Sequence, residues 1–233
     1  MPVRDRRGPG GLQPAAARGR LSGGGAVRPR IVGLTGRSGC GKSTVSRLLR
    51  QWGAPVCDAD EVAREVLRPG SPCLSALCAA FGDDILNEHG EIIRPQLAAR
   101  AFQSPHTAAR LSAITHPEII RRILSAADEA GEQGSALFFV DGAVIVGHGL
   151  EPYCWRIAVV DADDDTAAGR ICARDGISMS AARRRLAAQT PRRVLLDAAH
   201  YTIENRAGEA ELERAAALFY RQVKEDAHAA QTS

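Results

Sequence analysis

Arg30-Ile31-Val32-Gly33-Leu34-Thr35-Gly36-Arg37-Ser38-Gly39-Cys40-Gly41-Lys42-Ser43-Thr44 is the stretch that decides the fold. Its first six residues form a short apolar run bounded by glycine, the pattern of a buried parallel strand. The next eight, Gly36 to Ser43, match G-x-x-x-x-G-K-[ST] in full. Beyond them Val45, Leu48, Leu49 and Trp52 recur at helical spacing until Gly53 stops the helix. A strand, a glycine-rich turn and a helix in that order make an anion cradle. The glycines let main-chain N–H groups turn inward, and the new helix presents its positive end. Gly36, Arg37, Ser38, Gly39, Cys40 and Gly41 would form the cradle, with Thr44 supporting it. Lys42 would neutralise β- and γ-phosphate charge, and Ser43 would ligate Mg²⁺. The chain has only two lysines, Lys42 and Lys224, against 28 arginines. One of the two stands where a compact point charge suits a phosphate. A bare helix cap would give that lysine no task, so a nucleotide is expected to bind here, and the motif alone leaves open whether it is used for phosphate transfer or for switching.

Working outward, Ala54–Cys57 reads as a second buried strand that ends at Asp58-Ala59-Asp60. The strand pattern returns at Ala136–Val140, ending in Asp141-Gly142, at Arg156–Val160, ending in Asp161, and at Tyr201–Ile203. Helices are predicted over Asp164–Arg174, Ser178–Gln189 and Glu209–Lys224. Strands alternating with helices give the α/β class, a parallel sheet covered on both faces. From Glu61 to Gln133 apolar residues recur every three or four positions, with breaks at Pro69-Gly70, Gly82, His89-Gly90 and Ser104-Pro105. This segment, residues 61–133, is expected to be an insertion of several short helices between core segments 30–60 and 134–233. In an open α/β sheet the ligand crevice lies beyond the carboxyl ends of the strands. Asp58, Asp60 and Asp141 should therefore face the phosphate loop. A carboxylate there either accepts a hydroxyl proton or holds Mg²⁺. The plainer alternative for Asp60 is a cap on a helix starting at Glu61.

Composition limits the remaining choices. The whole chain carries a net charge of +3, but residues 1–29 hold six arginines and one acid, a local excess of five, which leaves −2 for residues 30–233. The core is thus no basic nucleic-acid binder, and the high isoelectric point belongs to the extension. That extension, rich in Gly, Pro, Ala and Arg without apolar periodicity, is expected to be disordered. A basic tether and an organellar address are its other readings. No apolar run approaches the length of a membrane span, and no secretory signal pattern occurs. The six cysteines show no C-x-x-C pair or zinc-type spacing and fit buried thiols in a reducing cytoplasm. The sequence leaves the oligomeric state open.

A wider set of residues resembles the dephospho-coenzyme A kinase family. It includes the loop, Asp58-Ala59-Asp60-x-x-Ala63-Arg64, Pro69-Gly70 and Phe81-Gly82. It continues with Gly90-x-x-x-Arg94-x-x-Leu97, His116-Pro117, Arg174-Asp175-Gly176, Ala187-Ala188-Gln189-x-Pro191 and Ile203-x-Asn205. The resemblance spans about residues 30–224, and Asp-Ala-Asp with Ala-Arg and Pro-Gly at these spacings is its most specific part. It implies a P-loop kinase that transfers phosphate from Mg·ATP to the ribose 3′-hydroxyl of dephospho-coenzyme A. It implies Asp60 as general base, Asp58 shaping the strand end, and Arg64, Arg94 and His116 lining the coenzyme site. It also implies a lid at residues 164–191 with Arg170 and Arg174 over the nucleotide, and Asn205 near adenine. Two departures stand out. Arg37, Ser38 and Cys40 replace the family's usual loop residues. Ala143-Val144-Ile145-Val146-Gly147 replaces a Pro-Leu-Leu-Phe-Glu-like segment, which leaves open an impaired homologue or a kinase with another acceptor.

Overall fold

The computed structural model describes residues 28–143 and 145–230. The expectation of a disordered extension falls almost wholly on residues 1–27, outside the described residues. In chain order the elements begin with β1 (Arg30–Thr35), α1 (Lys42–Gln51), β2 (Val56–Asp58), α2 (Ala59–Glu65) and α3 (Cys73–Phe81). They continue with α4 (Arg94–Ala101), α5 (Pro105–Glu132), β3 (Leu137–Asp141), β4 (Arg156–Asp161) and α6 (Asp164–Asp175). The last are α7 (Met179–Ala187), α8 (Arg192–Ala198), β5 (Tyr201–Glu204) and α9 (Glu209–Ala229). The described residues divide into two compact units, one drawn from residues 28–57 and 127–230 and the other Asp58–Ala126.

The first unit is built on a sheet of strand order β2-β3-β1-β4-β5. β1 runs parallel to both β3 and β4, and β4 runs parallel to β5. Side chains alternate across a strand, which sorts the apolar residues to two faces. Val32, Leu34, Phe139, Ala158, Val160 and Ile203 meet Val45, Leu48 and Leu49 of α1 and Leu212, Phe219 and Val223 of α9. Phe219 packs edge-on against Phe139 and Tyr201, with ring centroids 6.2 and 5.4 Å apart. On the opposite face Ile157 and Val159 meet Val146 and Leu195, the last from α8. The register sets Leu34 opposite Asp141, so β1 and β3 reach their carboxyl ends side by side. α6 and α7 pack on each other through Ala167, Ala168, Ile171, Ala182 and Leu186.

The second unit has its own core of Val66, Cys73, Leu77, Phe81, Ile85, Leu97 and Ala101. Here the structure corrects the expectation of short helices throughout. α2, α3 and α4 are short, but α5 is one helix of 28 residues running through Pro117. His116-Pro117 thus lies inside a helix. The N-cap of the helix after β2 also differs from the expectation for Asp60. Asp58 is the cap, its side chain accepting from the N–H groups of Asp60 and Glu61 at 2.9 and 3.0 Å, and Asp60 sits in the first turn. α8 was not expected at all. No helix among the described residues is long and apolar enough to cross a membrane.

Candidate active site

β1 ends at Thr35, and the loop Gly36–Gly41 leads into α1. Gly39 and Gly41 hold φ angles of +78° and +95°, a region that L side chains rarely adopt. Space forbids a side chain as well. A Cβ on Gly39 would strike the carbonyl oxygen of Ala167, and one on Gly41 would strike Asn205 Nδ2 and come within 2.9 Å of Leu212 Cδ2. Gly39 and Gly41 are therefore required by both torsion and close approach, and Gly36 by close approach to the Val160 carbonyl. Ser43 is exposed at the start of α1 and Thr44 is half-buried. Cys40 is buried, and that burial pushes its thiol up to about 11.

Lys42 donates to Asp141 Oδ1 at the end of β3, and Ser46 donates its hydroxyl to Asp141 Oδ2. The register that aligns β1 with β3 is what delivers this carboxylate to the loop's ammonium. Asp141 is buried, so each of its oxygens needs such a partner.

The loop is gripped from outside by residues distant in sequence. Asn205, itself buried, donates from Nδ2 to the Cys40 carbonyl at 2.8 Å. Its Oδ1 accepts from Arg170 Nη2 at 3.0 Å, and Arg170 Nη1 donates to the Gly39 carbonyl at 3.3 Å. Both polar ends of Asn205 and the guanidinium of Arg170 are thus engaged in bracing the loop. Arg174 points elsewhere, to a bidentate pair with Asp175 at 2.7 and 2.9 Å, and Arg185 joins the same carboxylate at 2.6 Å. Arg37 donates to Asp164 Oδ1 at 2.6 Å and to the Leu186 carbonyl at 3.0 Å. Ser38 accepts and donates in two bonds with Gln189. At the end of β4, Asp161 receives Arg192 in bidentate fashion at 2.7 and 2.5 Å.

Gln189, Arg192 and the bracing roles of Asn205 and Arg170 were not readable from spacing. Gln189 stood within a family-like motif without a task, and Arg192 stood outside every motif. In the divergent segment Ile145 and Val146 are buried, and the Gly147 N–H donates to Glu151 Oε2 at 3.0 Å.

The second unit carries the other expected site residues. Asp60 and Arg64 are exposed and four residues apart on α2, hence on one helix face. Arg94 is exposed as the first residue of α4, and His116 is half-buried within α5. Close by on α5, Glu118 accepts from Arg121 Nε and Nη2 at 2.7 Å each and from Arg122 Nε at 2.8 Å. These hydrogen bonds, Arg121's first and Arg122's second, hold its carboxyl down to about 2.

A glycine cradle with one ammonium and one buried carboxylate can hold a polyphosphate and place a cation beside it. Comparison with known proteins narrows the chemistry. The family described as dephospho-CoA kinase matches residues 30–211. The dephospho-CoA kinase of Corynebacterium efficiens is 41% identical over 174 residues, 75% of this chain and 87% of that protein. The Streptomyces avermitilis dephospho-CoA kinase is 40% identical over 183 residues, 78% and 88% of the two chains. The crystal structure of TT1252 from Thermus thermophilus superposes with a TM-score of 0.71 at 30% identity, covering 85% of this chain and 98% of that one.

Proposed function

The chain belongs to the dephospho-CoA kinase family, and from that premise we propose that it transfers the γ-phosphoryl group of Mg·ATP to the ribose 3′-hydroxyl of dephospho-CoA, giving CoA and ADP. The observation that carries this reading is a family match extending from the first strand through the loop, the second unit and α6–α8 to the start of α9. A phosphate loop alone would leave the acceptor unspecified.

The reaction divides its work among named groups. Main-chain N–H groups of the loop and the Lys42 ammonium hold the β- and γ-phosphates and counter the charge that gathers as the γ-phosphoryl group moves. Asp60 takes the proton of the 3′-hydroxyl as that oxygen bonds to the γ-phosphorus. The bond from γ-phosphorus to the bridging oxygen breaks, and ADP leaves. Support for Asp60 is its exposed carboxylate on the first turn of α2, directly after a strand end. Asp58 supports it from the cap position, and Arg64, Arg94 and His116 bind the coenzyme. Arg170 and Asn205 keep the loop in shape beside the adenine side, whereas Arg174 within the lid at residues 164–191 is spent on Asp175.

Magnesium would be held by the Ser43 hydroxyl, with Asp141 behind it. These are hard oxygen donors of the kind Mg²⁺ takes. The fit is sound because each Asp141 oxygen accepts one bond from protein and keeps acceptor capacity to spare. There it would supply positive charge to offset that of the phosphates. A reducing, cytoplasmic setting is part of the same proposal, supported by six free cysteines.

The test is an acceptor screen with ATP, read as ADP release. Dephospho-CoA should stimulate release well above every other ribosyl or small-alcohol acceptor. Equal or greater stimulation by a different acceptor would replace this reading with that of another small-molecule kinase.

A further inference from the structure

The two hydrogen bonds between Gln189 and Ser38 fix the direction of a proton. The Ser38 main-chain N–H can only donate, so the atom it meets at 3.0 Å is the amide oxygen Oε1. That settles the orientation of the amide and turns Nε2 toward Ser38 Oγ, 2.6 Å away. An amide nitrogen can only donate as well, so the Ser38 hydroxyl is the acceptor in that bond. Its own proton must go to a third group. Among the described residues no protein acceptor for that proton is present, whereas Ser38 is the third residue of an eight-residue anion cradle.

The neighbouring loop side chains strengthen the point. Arg37 gives Nη1 and Nη2 to Asp164 and the Leu186 carbonyl, and its Nε is buried without a partner. Cys40 is buried with its thiol held protonated by that burial. Within the first half of the loop, the hydroxyl of half-buried Ser38 and the fully buried Arg37 Nε are the side-chain donors left without a protein acceptor, and Ser38 is the more open of the two. Resting on the phosphotransfer reading above, we infer that the Ser38 hydroxyl donates its proton to a phosphate oxygen of the bound nucleotide. Gln189 is the positioning residue that sets the hydroxyl for this. It accepts the Ser38 N–H with one atom and fills the hydroxyl's lone pair with the other, so that the proton faces the ligand.

The experiment measures Mg·ATP affinity by calorimetry on the full chain and on Ser38→Ala, Ser38→Thr, Gln189→Glu and the Ser38→Ala/Gln189→Glu double variant. A hydrogen bond to a charged oxygen corresponds to about a tenfold change in affinity or somewhat more. Ser38→Ala should therefore weaken ATP by about tenfold, and Ser38→Thr, which keeps a hydroxyl, should not. Gln189→Glu is the discriminating change. The carboxylate still accepts the Ser38 N–H, but it can only accept, so it draws the hydroxyl proton to itself and away from ATP. Its penalty should be larger in the presence of Ser38 than in the Ser38→Ala background. Unchanged affinity in Ser38→Ala, or the same Gln189→Glu penalty in both backgrounds, overturns the inference. Turnover of the unaltered chain with dephospho-CoA is read alongside. If it turns over while Ser38→Ala binds ATP normally, only this inference fails; if it does not turn over, the broader reading fails.

Discussion

Lys42 and Asp60 are assigned different work, and substitution separates them. On the proposed reading Lys42 meets phosphate in both the ground state and the transition state, so Lys42→Ala should weaken ATP and slow turnover, lowering kcat/KM by roughly 10²–10³-fold. On the proposed reading, Asp60 acts only on the acceptor proton. Asp60→Asn should lower kcat by about 10²-fold or more with ATP affinity unchanged. Steady-state kinetics with a parallel ATP titration distinguishes the two patterns, and unchanged kcat in Asp60→Asn would remove it from the role of base. Lys42 could be read from the sequence because its motif is local: the loop's geometry is written in eight consecutive residues. Gln189 and Arg192 could not, because their partners Ser38 and Asp161 lie far off in the chain. Such contacts exist only once the strands have brought their ends together. Asp58 was legible as a strand-end acid, but its capping of α2 depends on where the helix begins.

At the scale of elements, the strands and the loop-to-helix junction followed from apolar runs and glycine positions, whereas α5 did not. A proline inside a helix lacks the N–H that the helix interior uses and crowds the preceding turn. α5 nevertheless continues through Pro117. On either side of Pro117, Thr115 donates its hydroxyl to the Leu111 carbonyl at 3.0 Å and Glu118 ties Arg121 and Arg122 to one carboxylate. The Glu118 cluster makes a pH prediction. Its carboxyl is lowered from an ordinary 4.5 to about 2 in the folded chain. A depressed carboxyl stabilises the fold fully above its unfolded value and loses that contribution as pH falls through the folded value. Thermal unfolding followed by circular dichroism should therefore show stability lost progressively between about pH 4.5 and pH 2. Glu118→Gln should flatten part of that dependence and lower stability at pH 7. An unaltered acid profile in Glu118→Gln would show that the cluster contributes nothing to it. α8 was missed for a simpler reason: seven residues after Pro191 are too few to show a helical period.

Along the whole chain, the excess positive charge precedes in sequence the stretch that matches the family. The family match begins at residue 30, and the six arginines of residues 1–29 lie ahead of it. A chain starting at Val27 should accordingly retain full turnover and the same melting temperature. A loss of either would assign the extension a part in the fold or the reaction. The acceptor carries the greatest weight in the account, because the loop explains the nucleotide whatever the acceptor is. The most direct measurement is phosphorus NMR of the reaction mixture after incubation of the full chain with dephospho-CoA and Mg·ATP. The account predicts a new phosphomonoester resonance on the ribose 3′-oxygen, growing in step with ADP. ADP formed without that resonance, or a phosphate found at any other position, would contradict it.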